Sequence, residues 1–172
     1  MSYIGASVKR FEDARLITGG GSFIDDMKLP DMLHAVVIRS VHAHARIRSI
    51  DVSTALELEG IVEVITGADL VGVLPDLPIR PMGDRAVEEF NAPQHPILAQ
   101  EKVCYVGQPV VVVVAQDPYL ARSGAELVTV DYEPLSPVLN PDEAANEDTP
   151  IIHPSLGTNV AMRSIQEGGD IE

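Results

Sequence analysis

Lys102-Val103-Cys104-Tyr105-Val106, then Gly107-Gln108-Pro109, then the run Val110 to Val114 with Ala115, and finally Asp117-Pro118 form the stretch that decides the fold. The valine run is apolar at every position, so it lacks the alternation of a half-exposed strand and belongs in the middle of a sheet covered on both faces. Gly107-Gln108-Pro109 breaks it from the shorter β-rich run before it, as a turn does. Asp117 offers a carboxylate to the free N–H groups of a first helical turn, and Pro118 suits the first helical position, where its missing N–H costs nothing. Leu120, Gly124, Leu127 and Val128 then fall at i, i+4, i+7 and i+8, one buried stripe in which Gly124 lets the helix approach the sheet. Val128, Val130 and Tyr132 resume a period of two, which Glu133-Pro134 ends.

Working outward, Leu33 to Arg39 reads as a strand, Ser40 to Ala45 as a connection, and Arg46-Ile47-Arg48-Ser49-Ile50 as a half-buried strand. Asp51 can cap a short helix through Ala55, Leu56 and Leu58, with Gly60 at the left-handed position beyond it. Ile61 to Ile65 follows as a strand stopped by Thr66-Gly67. Two strand, helix, strand units, residues 46 to 65 and 110 to 132, thus recur in order but not in sequence. Asp51 to Gly60 is marginal for a parallel crossover, which usually takes a dozen or more residues. The expectation is an α/β (α+β) fold with a mixed sheet, a short helix and a longer one.

Three segments frame this body. Residues 1–32 read as an extended N-terminal arm that turns at Gly19-Gly20-Gly21-Ser22, residues 33–145 as the folded domain, and residues 146–172 as an acidic linker. Inside the domain, residues 72 to 100 carry Pro75, Pro78, Pro81, Pro93 and Pro96 with little periodicity, a long loop of the kind that covers a ligand or a neighbouring domain. The end, Gly168-Gly169-Asp170-Ile171-Glu172, completes no element and reads as cut.

Composition excludes several classes. With 172 residues the chain can bury a sizeable core, and 21 Val and 14 Ile against three Phe, four Tyr and no Trp make that core aliphatic and sheet-rich. A net charge of -14 argues against non-specific nucleic-acid binding, which needs clustered cations to displace counterions. The charge is uneven: residues 1–50 hold seven Lys/Arg and five Asp/Glu, and Met32 to Ile50 contains Arg39, Arg46, Arg48, His34, His42 and His44 without a carboxylate. The longest apolar run, Pro109 to Ala115, is far short of the ~20 residues that span a bilayer. One cysteine, Cys104, forms no internal disulfide, and no leader opens the chain, so the expected location is cytoplasmic.

No catalytic, cofactor-binding or metal-ligating set emerges from the residues. His42 and His44 would share a side of an extended strand and could chelate, but further ligands and an orienting shell are absent near them, so a structural or interface role is favoured. Gly19-Gly20-Gly21-Ser22 lacks the Lys-Ser/Thr and the strand-to-helix setting of a phosphate cradle. Asp25-Asp26, Glu88-Glu89 and Asp142-Glu143 are adjacent pairs whose side chains diverge, whereas acid–base work needs converging groups. Cys104 sits in a strand run with Val103 and Tyr105 as its immediate neighbours, neither of them basic, and reads as a packed thiol.

The blocks Arg10-Phe11-Glu12-Asp13-Ala14-Arg15-Leu16-Ile17-Thr18-Gly19 with Phe23-Ile24-Asp25-Asp26, Arg39-Ser40-Val41-His42-Ala43-His44-Ala45-Arg46-Ile47, Val103 to Val110, and Val130-Asp131-Tyr132-Glu133-Pro134-Leu135 together resemble, in order, the start of the molybdenum-binding large subunit of the xanthine dehydrogenase, aldehyde oxidase and aerobic carbon monoxide dehydrogenase family. The resemblance covers about residues 4 to 145 and implies an α/β-hammerhead domain of a much longer oxidoreductase. It also implies that the parent hydroxylates an aldehyde or N-heterocycle with oxygen from water, or oxidises CO. Molybdopterin, in its cytosine dinucleotide or a related form, would be held by later domains, and iron–sulfur and FAD centres by partner subunits or other domains. This chain itself would hold no cofactor and be inactive alone. Gly168 to Glu172 is similar to the opening of the family's next segment. Arg39, His42, His44, Arg46, Gly107, Gln108 and Pro109 are then the candidate contacts to neighbouring domains or subunits. The alternative is a stand-alone small-molecule or protein-binding module on the same scaffold, since a fold does not fix function.

Overall fold

The computed structural model describes residues 4–80, 86–165 and 168–169. Two compact units divide at Met32/Leu33. In the first, α1 (Asp13–Ile17) is a single helical turn and Ile24–Asp26 a 3-10 turn, so the segment expected to be extended coils locally. The physical reason is local hydrogen bonding. Asp13 pairs with Arg10 at 2.9 Å, Gly20 N–H donates to Arg15 O at 2.8 Å, and the Thr18 hydroxyl donates to Ala14 O, also at 2.8 Å. The glycine run therefore closes the C-terminal end of a helix, the wrong end for an anion. No described residue of 4–32 is buried.

The second unit is built on β1 (His34–Arg39), β2 (Ala45–Asp51), α2 (Ser53–Leu56), β3 (Ile61–Thr66), β4 (Ala86–Phe90), β5 (Lys102–Val103), β6 (Pro109–Ala115), α3 (Pro118–Leu127), β7 (Thr129–Pro134), α4 (Pro141–Ala144) and β8 (Met162–Ile165). The described strands pair as β1-β6-β3, β5-β2-β7 and β4-β8. The valine run is the central strand of the first sheet, with His34 opposite Ala115 and Ile38 opposite Val111 on one side, and Val64 opposite Val113 on the other. Its residues Val110, Val111, Val113 and Ala115 are fully buried, joined in the aliphatic core by Val103, Ala45, Ala55 and Val64.

All the described ladders are antiparallel, which corrects the expectation of a mixed sheet. Both strand, helix, strand units pass the chain from one sheet to the other: β2 and β7 lie in one sheet, β3 and β6 in the other. A connection of Asp51–Gly60 length is short for a parallel crossover, but it can step between sheets. α2 is a single turn, with the Asp51 carboxylate accepting from Ser53 N at 3.0 Å, and Gly60 takes φ +93° as the chain reverses into β3.

The longer helix follows its capping signals, whereas of the expected buried stripe only Gly124 is fully buried and Leu127, in the last turn, is 39% exposed. The Asp117 carboxylate accepts from Tyr119 N at 2.8 Å and Leu120 N at 3.0 Å, and Pro118 opens α3. Gly124 is buried against the sheet, where an added Cβ would lie 2.5 Å from Ile61 Cδ1. Replacing Asp117 with Ala orphans two N–H donors, and the expected loss is about 1 kcal/mol in a denaturant titration. The proline-rich stretch is not all loop. Its residues 86–90 form β4, whose partner β8 lies in the segment expected to be a linker, with Phe90 opposite Met162 and Asn91 N donating to Ala161 O at 2.8 Å. Pro81 and residues 170–172 of the C-terminal motif lie outside the described residues.

Candidate functional site

The β1–β2 and β5–β6 connections carry most of the residues singled out in the sequence, and backbone hydrogen bonds weld them together. Gly107 N donates to Ser40 O at 2.8 Å, and Ser40 N donates back to Gln108 O at 2.9 Å. Gly107 takes φ +90°, a left-handed conformation that a Cβ disfavours, and so turns the chain from Val106 into β6. From the end of β1, the Arg39 guanidinium donates to Gly107 O at 2.9 Å. The Gln108 side chain points inward, nearly buried, and its Oε1 accepts from Cys104 N at 2.7 Å. Pro109 O accepts from Ala99 N at 2.8 Å and fastens the loop before β5 to the start of β6. Arg39, Gly107, Gln108 and Pro109 thus share one locus.

His42 and His44 part company. Both precede β2 in a bend rather than lying on an extended strand, so their i, i+2 spacing does not aim them at one metal. His42 packs against Tyr132 with ring centroids 5.0 Å apart, while the Ser40 hydroxyl brackets its backbone, donating to His42 O and accepting from His42 N. His44 is buried, with Nδ1 2.8 Å from Ser136 O and Nε2 without a hydrogen-bond partner. Arg46 is half exposed and lies 3.7 Å from Glu133, which also pairs with Arg48 at 2.7 Å across the β2–β7 ladder.

Beside the welded turns lies a cavity of about 380 Å³, which sequence reading missed. Its lining includes Ile79, Pro93 and Pro96 from the proline-rich stretch, Lys102 and Tyr105 from the β5 region, and His153 from far downstream. The volume falls in the range of small-molecule sites, but its chemistry is bland. The Lys102 ammonium is occupied by Ile152 O. Burial, reinforced by the nearby Lys102 ammonium, holds His153 below the usual imidazole range, which favours its neutral form. Burial also pushes the Cys104 thiol up, with Lys102 only partly opposing it, which leaves the protonated, unreactive form.

The adjacent carboxylate pairs are engaged locally or exposed. Asp26 accepts from Phe23 N, Glu89 pairs with Arg163 at 3.3 Å, and Asp142 and Glu143 are exposed on α4. Among the described residues no three His, Cys, Asp or Glu side chains converge as a protein-ligated metal centre requires. What the geometry offers is a rigid surface.

Comparison with known proteins gives that surface a context. Residues 18–136 match the family described as "Aldehyde oxidase and xanthine dehydrogenase, a/b hammerhead domain". The 6-hydroxypseudooxynicotine dehydrogenase complex subunit gamma of Paenarthrobacter nicotinovorans is 42% identical over 99% of this chain and 21% of its own length. The carbon monoxide dehydrogenase large chain of Afipia carboxidovorans is 40% identical over 89% of this chain and 18% of its own. Among solved structures, quinoline 2-oxidoreductase from Pseudomonas putida 86 superposes with a TM-score of 0.77 at 39% identity, covering 91% of this chain and 19% of that one. The chain spans about a fifth of the length of the curated relatives it matches. Fold, ordered sequence blocks and relatives agree, and the chain belongs to the aldehyde oxidase and xanthine dehydrogenase family as its α/β-hammerhead domain.

Proposed function

We propose that this chain is a noncatalytic structural and interface domain of the large subunit of a molybdenum hydroxylase, an oxidoreductase that hydroxylates aldehydes or N-heterocycles with oxygen from water, or oxidises CO. The observation that carries the reading is the mismatch in coverage: nearly all of this chain aligns, but only with about a fifth of each relative. In this reading molybdopterin, in the cytosine dinucleotide form, belongs to later domains of the same subunit, and iron–sulfur and FAD centres to partner subunits. The bound group would supply the oxidation chemistry, while the residues of this chain hold a surface for those parts. Arg39 and Arg46 present charge on that surface, His42, Gly107 and Pro109 shape it, and His44 and Gln108 brace it from within. A cytoplasmic location belongs to the same reading, and among the described residues no helix is long and apolar enough to cross a membrane.

The test compares two preparations. The complete gene product, purified with its partner subunits, is expected to contain molybdenum by elemental analysis and to reduce an artificial acceptor with an aldehyde, an N-heterocycle or CO. The 172-residue polypeptide is expected to contain no molybdenum and turn over none of these. Metal retention or turnover by the short polypeptide overturns the noncatalytic assignment. A gene product that ends at Glu172 and binds a ligand unaided would instead establish the stand-alone binding module.

A further inference from the structure

The polar residues of the welded turns are largely satisfied within the chain; what they present outward is apolar. Val41 is 76% exposed, Val106 65% and Tyr105 47%. Ordinary loops with such tips relax. Here the Ser40–Gly107 and Ser40–Gln108 bonds, the Arg39 bond to Gly107 O and the Gln108 bond to Cys104 N fix both turns. A pre-set apolar knob loses little freedom on binding, which distinguishes a docking element from incidental exposed hydrophobics. Tyr105 also lines the 380 Å³ cavity, so knob and hole adjoin. Arg39, at the edge of the knob, has no carboxylate partner among the described residues, on a chain whose residues 51–172 carry 21 Asp/Glu against five Lys/Arg.

We propose that the knob and cavity are the seat for a loop from the later domains of the same large subunit, one that lays an apolar side chain against Val41, Tyr105 and Val106 and brings a carboxylate to Arg39. This rests on the domain reading above. The length of the relatives argues for an occupant in the same polypeptide. About four-fifths of each lies outside the part matched here, and a tethered segment reaches its seat at high effective concentration. A partner subunit has no such advantage.

The experiment uses the complete gene product in complex with its partner subunits. Val41→Cys and Val106→Cys variants are labelled with a maleimide in the native complex and again after unfolding in urea. Native labelling is expected to be slower by at least about tenfold, as for the dry core of an interface; native rates close to the unfolded ones overturn the seat. In a third variant a photo-crosslinking amino acid replaces Tyr105, and mass spectrometry reads the joined peptides. Peptides from the later region of the same polypeptide support the proposal, whereas peptides from another subunit or from a second copy overturn it. Molybdenum content separates the two levels of failure. A molybdenum-containing complex with freely labelled cysteines sinks the seat alone, and a metal-free product with these crosslinks sinks the molybdenum assignment alone.

Discussion

Gly67→Ala is expected to lower stability by about 3 kcal/mol, at the upper end of overpacking costs, read as a reduced midpoint with an unchanged denaturant slope. Gly67 is buried with φ -60°, so left-handed strain plays no part in its requirement for glycine. The constraint is space. An added Cβ would lie 2.4 Å from the Ala99 carbonyl oxygen and 2.9 Å from its carbon. These are backbone atoms of a buried residue whose N–H is held by Pro109 O at 2.8 Å, so they cannot swing aside as a side-chain tip can. Relief must come from separating the end of β3 from the loop that leads to β5, at the foot of the proposed seat. Gly107→Ala is the control of opposite kind, since a Cβ there meets nothing within 4 Å and only the positive φ is penalised, at roughly 1–2 kcal/mol. Equal losses from the two variants would refute the argument from space.

The same contrast explains how much was legible beforehand. Valines 110 to 114 announce the central strand because a run apolar on both faces has one stable home, and Asp117-Pro118 announces α3 because capping is local chemistry. Gly67 gave only a strand stop. Nothing in Thr66-Gly67 says that the backbone of residue 99 passes within contact of it, because that approach depends on tertiary packing. For the same reason β4 was hidden: Ala86–Phe90 sits among prolines, and its partner Met162–Ile165 lies more than 70 residues on. The sheet arrangement was half legible. A ten-residue link spoke against a parallel crossover, but the residues could not say that the chain would step to a second sheet.

At the site, the ordered blocks pointed to two turns that the fold brings together. Arg39, Gly107, Gln108 and Pro109 meet at one locus, yet their polar groups are used internally, and the exposed surface between them is Val41, Tyr105 and Val106. Hydrophobic residues flanking polar motif positions read as strand filler in one dimension. The cavity was invisible because its walls come from separated stretches, around residues 79, 93–96, 100–108 and 153, and only the fold assembles them. His42 and His44 show the converse, a suggestive spacing that the bend before β2 cancels.

The brace beneath that surface can be weighed by removing Gln108. Gln108 is 7% exposed, and its carboxamide oxygen accepts from Cys104 N at 2.7 Å, inside the turn that displays Tyr105 and Val106. Gln108→Ala is expected to cost about 3 kcal/mol, combining a buried N–H left without an acceptor and a cavity where the side chain stood. Gln108→Met keeps most of the volume while removing the acceptor, so its expected cost is about 2 kcal/mol, the orphaned donor alone. Both should speed hydrogen exchange at Cys104 and at Gly107, whose N–H is bonded to Ser40 O, while amides in the middle of β6 keep the protection set by global unfolding. The pattern matters more than the sum. If Met proved as stable as glutamine, the Gln108–Cys104 bond would be incidental, the turn would be held by its backbone alone, and the inward side chain would need another explanation. If instead both variants loosen the turn before they unfold the domain, then the polar positions in this block serve to hold two apolar side chains rigidly in view. A nearly buried glutamine would then matter to docking.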